Sequence, residues 1–260
     1  MNIRRFIPLV GAVLFAAPIS LLALLAVSPA QAQPTAITAC KQLSPGNYVL
    51  TKNINTNKDM SACLTITTLG GVTIDLGGFT ISTLANQTGI SASNRGASVI
   101  VRNGTIVAGN GISLGSGPRS VVERMQVISI LGLPPLSGPV GGTGISATGI
   151  VKDNVVLGGF SLGVAAGGTV TGNYIGPNFA INPANPGPLI SRSPTNGMSV
   201  SSGSTVIGNT IELSASLGSG QVGLEAACPS NVTNNTFTGS AKNIEVGTSG
   251  NCNTTNNVAP

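Results

Sequence analysis

Eight times between residue 76 and the C-terminus, a large apolar residue is followed by four turn-prone residues and then by another apolar residue. The instances are 76–81, 101–106, 122–127, 151–156, 170–175, 206–211, 232–237 and a weakened 254–259. A second motif interleaves with the first: Gly or Asn, an apolar residue, a small or polar residue, and usually another apolar one. It begins at Gly89, Gly111, Gly144, Gly163, Gly197, Gly223 and Asn243. None of these short strands carries enough apolar surface for a core of its own. Units that recur in one order at about 20 to 35 residues stack on one another, each burying its neighbour. The recurrence therefore predicts an all-β, single-domain solenoid in which the chain winds as a parallel β-helix. Glycine, 36 of 260 residues, suits a chain that turns two or three times per lap. A β-sandwich does not predict equivalent residues returning in the same order on every lap.

The first residues stand apart from this pattern. Arg4 and Arg5 precede an apolar stretch over 6–27, and Ala30-Gln31-Ala32 offers small residues for a signal peptidase. Residues 1–32 are expected to be a cleaved signal peptide of the Sec type, which places the mature chain outside the cell, in a periplasm or on the cell surface. The expected organisation is an N-terminal cap and first irregular coil over 33–71, then the helix proper over 72–260. No later segment is apolar enough to span a bilayer.

Export makes disulfides the default state of the four cysteines. Cys228 and Cys252 fall in connections on consecutive laps, so the repeat pairs them. Cys40 and Cys63 both precede the regular laps and pair across the N-terminal cap. Each bridge closes a loop of about 24 residues, which the chain-entropy model values at roughly 3 kcal/mol. The sequence has no histidine and no close cysteine pair, so neither a metal site nor a cofactor is expected. Its 12 basic residues are scattered and its polar aromatics are only Tyr48 and Tyr174, which argues against nucleic acid as a partner.

Stacking turns equivalent positions into vertical columns. The third residue of the quartet reads Asn154, Asn173, Asn209, Asn235, Asn257, as expected of an asparagine ladder; exposed amides that touch sugar are the competing reading. The first quartet position reads Arg102, Glu123, Lys152, and the second reads Arg124, Asp153. Both columns alternate in sign, which predicts cross-strand ion pairs that fix register. The same charges read as a mixed patch would grip an anionic polymer.

In the interleaved motif the outward column runs Ser91, Ser113, Ser146, Ala165, Ser199, Glu225, Glu245. Glu225 and Glu245 thus occupy adjacent laps, about 5 Å apart, a spacing close to that of retaining glycosidases. They are the catalytic candidates, and an exposed pair softened by Lys242 is the plainer reading. Two laps carry long proline-rich insertions, near 128–143 and 176–196. Phe179 and Arg192 on the second, with Ser146 and Ser199 on the column, are the candidate ligand-binding residues.

The segments Gly46-Asn47-Tyr48-Val49-Leu50, Cys63-Leu64-Thr65-Ile66 and Val72-Thr73-Ile74-Asp75-Leu76-Gly77-Gly78-Phe79-Thr80-Ile81 resemble the opening of secreted right-handed parallel β-helix proteins of the pectate-lyase-like superfamily. The resemblance implies a right-handed helix over about residues 40 to 258 and a turn contact for Asp75. It does not carry over a known active site. Hydrolases of that fold use clustered aspartates with a Gly-His-Gly motif, and its lyases use several acidic calcium ligands. This chain has only Asp59, Asp75 and Asp153 as aspartates. Two functions follow as expectations. One is a non-catalytic exported module that binds a polysaccharide or cell-envelope glycan or builds extracellular structure. The other is a carbohydrate-active lyase, hydrolase or epimerase with an atypical site on the Glu225/Glu245 face.

Overall fold

The computed structural model describes residues 33–259, apart from 57–59, 94–95, 116–118, 131–140, 181–189, 193 and 215–219. The expected signal peptide at 1–32, Asp59 and the middle of both insertions therefore lie outside the described residues. Every regular element described is a β-strand. Twenty-three strands join into one sheet, and all their pairings are parallel. Among the described residues no helix is long and apolar enough to cross a membrane.

The parallel pairings form three stacks. The first runs from Lys41–Leu43 through Ala62–Ile66, Thr88–Ala92, Asn110–Ser113, Thr143–Lys152, Leu162–Thr171, Asn196–Val200 and Val222–Ala226 to Lys242–Val246. The second runs from Thr35–Ile37 to Asn253–Thr255, and the third from Ile54–Asn55 to Thr236–Thr238. Long strands such as Ser120–Ser129 belong to two stacks at once. The third stack begins one lap later than the other two.

Inside, the apolar positions of both motifs form columns with no more than 1% exposure. Leu64, Ile90, Ile112, Ile145, Val164, Met198 and Leu224 come from the first stack. Val101, Val122, Val151, Val170, Val206 and Val232 come from the second, and Ile106, Val127, Val156, Ile175, Ile211 and Phe237 from the third. The repeated glycine that opens the interleaved motif has a steric cause. A Cβ on Gly163 would sit 2.6 Å from the Gly197 carbonyl oxygen and 2.5 Å from Ile175; one on Gly197 would meet Gly223 and Ile211 at 2.4 and 2.5 Å. The strand thus approaches the next lap and the core too closely for any side chain. At the two ends of this column stand Cys63 and Asn243.

The corner between the second and third stacks turns on one left-handed residue, always the second of the quartet. It is Asn103, Arg124, Asp153, Gly172, Gly208, Asn234 and Asn256 on successive laps, with φ between 53° and 65°. The third residue, immediately after it, is the ladder asparagine. Each ladder Oδ1 accepts from the preceding lap: Asn154 N and Nδ2 donate to Asn173 at 3.1 and 2.9 Å, and Asn209 N and Nδ2 to Asn235 at 2.9 Å each. Each Nδ2 also donates back to a valine carbonyl of the preceding lap, as Asn209 does to Val170 at 3.1 Å. Met125 N donates to Asn154 Oδ1 at the N-terminal end, and Asn257 Nδ2 reaches Val232 O at the other. The ladder is therefore structural: Asn154, Asn173, Asn209 and Asn235 are each 1% exposed, and buried amides of this kind must be paired.

The ion pairs depart in part from the column reading. Glu123 does bridge to Lys152, at 2.9 Å, but its second partner is Arg124 beside it in sequence, at 3.2 Å. Arg102 turns instead to Asp75, at 3.0 Å. Asp75 also accepts from Gly77 N at 2.9 Å and Asn103 Nδ2 at 3.0 Å, so it makes the turn contact implied by the resemblance. Arg124 and Asp153, expected to pair, occupy the left-handed corner, and no ion pair joins them among the described residues. Disulfides join Cys228 to Cys252, as the repeat predicted, and Cys40 to Cys63, as expected of two cysteines in the N-terminal cap.

Two measurements check this architecture. Asn209→Ala strips the partners from Asn173 N and Val170 O, both inside the corner. An unsatisfied buried group costs about 1 to 3 kcal/mol, so equilibrium denaturation should show a loss of about 3 kcal/mol or more, while Asn253→Ala on the exposed last lap stays near neutral. For Glu123, the hydrogen bond and charge of Lys152, with help from Arg124, hold the carboxyl below its ordinary range. A depressed carboxylate stabilises fully above its unfolded pKa and loses that contribution as pH falls through the folded one. Glu123→Gln should therefore be less stable than the native chain at pH 7, and the gap should close on acidification below about pH 4.

Candidate functional site

The outward column of the first stack is continuous in register. Ser91 pairs with Ser113, Ser113 with Ser146, Ser146 with Ala165, Ala165 with Ser199, Ser199 with Glu225, and Glu225 with Glu245. It extends towards the N-terminus through Thr65 to Gln42. Inward neighbours fix its spacing: at Ser199 the residues on either side, Met198 and Val200, are both buried. Down to Ser199 the column is small or hydroxyl-bearing after Gln42 and free of charge; at Glu225 it becomes acidic.

Around this transition lies an open groove of about 350 Å³, lined by Ser199, Glu225, Ala227, Glu245, Gly247 and Thr248 among others. Glu225 is exposed, whereas Glu245 is half-buried and ion-paired with Lys242 at 2.8 Å. The fold thus brings Ser199, Glu225 and Glu245 together and leaves Ser146 two laps away. Phe179 and Arg192 lie elsewhere, on a two-stranded antiparallel ribbon formed by Asn178–Ala180 and Ile190–Arg192, where Phe179 pairs with Ser191 and Arg192 with Asn178. That ribbon leaves the third stack after Tyr174–Gly176, and the chain re-enters the first stack at Asn196. A second groove, about 270 Å³, lies at the N-terminal end where the third stack starts late, with Lys52, Asn53 and Met60 in its wall. Its Asn53 Oδ1 is already taken by Thr80 N–H at 2.9 Å. Among the described residues, no three acidic, Cys or His side chains come close enough to hold a metal ion.

One polar pair is not visible in the column reading. On the outer side of the third stack, Tyr174 Oη donates to Glu212 Oε2 at 2.7 Å. The two residues sit on neighbouring laps but two positions out of register, since Tyr174 itself pairs with Thr210. To span that offset the ring lies along its own strand over Gly176. A Cβ there would fall 2.5 to 2.7 Å from Oη, Cζ and Cε1 of the ring. The only sequence signal is this glycine, two residues after a tyrosine in a strand. Burial, reinforced by the Glu212 carboxylate, pushes the phenol up to about 12.

No family model, curated protein or solved structure matches the chain. The site is thus read from its own chemistry.

Spectrophotometric titration tests the Tyr174 arrangement. In Tyr48→Phe the remaining phenol is Tyr174, and it should ionise near 12. Adding Glu212→Gln should lower that value towards, but not to, the ordinary tyrosine value of about 10, because burial is the larger cause.

Proposed function

We propose that this chain is an exported, right-handed parallel β-helix, similar in fold to the pectate-lyase-like superfamily, and that it serves as a non-catalytic glycan-binding module. Its ligand face is the outward column of the first stack, and the partner is an extended polysaccharide or cell-envelope glycan. The observation that carries this reading is the unbroken register from Gln42 to Glu245 on a sheet backed by an apolar core. Parallel neighbours repeat at about 4.8 Å, so hydroxyls recur at close to the length of one sugar unit in an extended chain. Such a face can track a polymer along the solenoid. The two disulfides fit an oxidising compartment, which agrees with the leader grammar of residues 1–32.

The acidic end shapes the choice of ligand. Glu225 and Glu245 repel a polyanion, and Lys242 is engaged by Glu245. A neutral or amino-sugar polymer suits the column better than an acidic one. Both carboxylates border an open groove, whereas acid–base chemistry on a glycosidic bond gains from a site that excludes water. A second reading keeps the enzyme: Glu225 and Glu245 are direct register partners, at a spacing suited to a nucleophile and an acid.

Pull-down of the mature chain with insoluble neutral polysaccharides should show binding, and Ser199→Trp, which fills the groove, should weaken it at least tenfold. Incubation with the same polymers should release no reducing or unsaturated sugar. Release that Glu225→Gln abolishes would establish the enzyme instead.

A further inference from the structure

We infer that Tyr174 and Glu212 form a separate sugar-binding subsite on the outer side of the third stack, one that takes a single neutral pyranose or furanose ring. The inference rests on the glycan-binding reading but not on the first-stack face, and its residues are shared with no part of that face.

The geometry supplies what a sugar ring needs from a protein surface. A pyranose has a weakly polar C–H face and a rim of hydroxyls. Its C–H face packs on an aromatic ring, because the ring's π-face is negative and the sugar C–H bonds are weakly positive. Here the Tyr174 ring is pinned along its strand over Gly176 and held at its tip by Glu212, so little side-chain freedom remains to be lost on binding. Beside it the register places Val155, 36% exposed, and Leu157 level with Gly176, so the platform continues as apolar surface towards the preceding lap. On the opposite side stand Thr210, in register with Tyr174, and Glu212. Glu212 Oε2 accepts from the phenol; Oε1 has no partner among the described residues and can accept a sugar hydroxyl. Apolar surface, aromatic ring and carboxylate therefore follow one another across three laps.

The phenol keeps its proton throughout the physiological range. Tyr174 thus stays a donor to Glu212, Glu212 stays an acceptor towards solvent, and the subsite repels uronic acids. Neutral sugars are the class it fits. The ribbon bearing Phe179 and Arg192 continues from the Tyr174 strand, so an insertion expected to bind ligand springs from beside this subsite.

The chain has no tryptophan and only two tyrosines, so Tyr48→Phe leaves Tyr174 as its one tyrosine fluorophore. In that background, neutral oligosaccharides (gluco-, xylo- and N-acetylglucosamine series) should change tyrosine emission saturably, and oligogalacturonate should not. By calorimetry on the full mature chain, Glu212→Gln should weaken neutral-sugar binding at least fivefold. Gly176→Ala, which displaces the ring, and Tyr174→Ala should weaken it at least tenfold, while Ser199→Leu, which fills the first-stack groove without adding a tryptophan, leaves the emission change intact. Should Tyr174→Ala or Gly176→Ala fail to fold by circular dichroism, Glu212→Gln decides alone. Binding unaltered by Glu212→Gln and Tyr174→Ala, with Ser199→Trp still disruptive, overturns this subsite and leaves the first-stack reading standing. A panel in which nothing binds overturns both.

Discussion

Parallel strand pairing between one lap and the next is what the rest of this protein depends on. Within the stacks each inward valine and isoleucine lies against apolar residues of the neighbouring laps, and that stacking buries it. Such pairing has little intrinsic register where residues are small, and a slip of one residue would turn the core outward. Two devices fix it. From Asn154 to Asn257 the asparagine column locks the backbone of each lap to the side chain of the next by bonds from both N and Nδ2. The glycine column lets the first stack approach its neighbour so closely that a displaced strand would collide. Neither device depends on charge, which is consistent with a chain in which only 7% of residues are charged.

Most of the vertical order was legible in the sequence because each lap repeats it. The seven-residue column from Ser91 to Glu245, the five asparagines and the Cys228–Cys252 bridge needed only alignment of the motifs, and the Cys40–Cys63 bridge followed because both cysteines precede the regular laps. The less legible features run across laps. Arg124 and Asp153 looked like a charge pair because they occupy one column, but that column is the left-handed turn, whose occupants are Asn, Gly, Arg and Asp alike. What selects residues there is backbone geometry, and side-chain charge is incidental. Arg102 chose Asp75 over Glu123 for a related reason: two cations next to Glu123 already satisfy it. Tyr174 and Glu212 were missed because a long side chain reaches diagonally, two positions along, and column alignment records only direct opposites.

The two candidate surfaces differ in how they present chemistry. On the first stack, short side chains make a smooth track that becomes acidic at its end, and recognition there depends on repetition. On the third, one ring and one carboxylate are fixed by a glycine that makes room for them, and recognition depends on a single arrangement. One stacked parallel sheet can carry both, since each stack has its own outward side and its inward residues form one apolar core. Function on such a scaffold is written in the outward columns and in the chain that leaves the corners.

The asparagine column also has a direction. Each side-chain oxygen accepts from the N-terminal side, where Met125 supplies the first backbone donor, while the backbone N and one Nδ2 hydrogen face the C-terminal side as far as Asn235, which donates both to Asn257. Copying a whole turn of sequence downstream of Asn154 would therefore hand each new asparagine a waiting donor pair above and a carbonyl to reach back for. A turn inserted upstream of Met125 would instead have Met125 on its downstream side, with no side-chain oxygen to accept from the new asparagine's N and Nδ2. A turn copied into the C-terminal half thus continues the chain of amides, whereas one copied before Met125 breaks it.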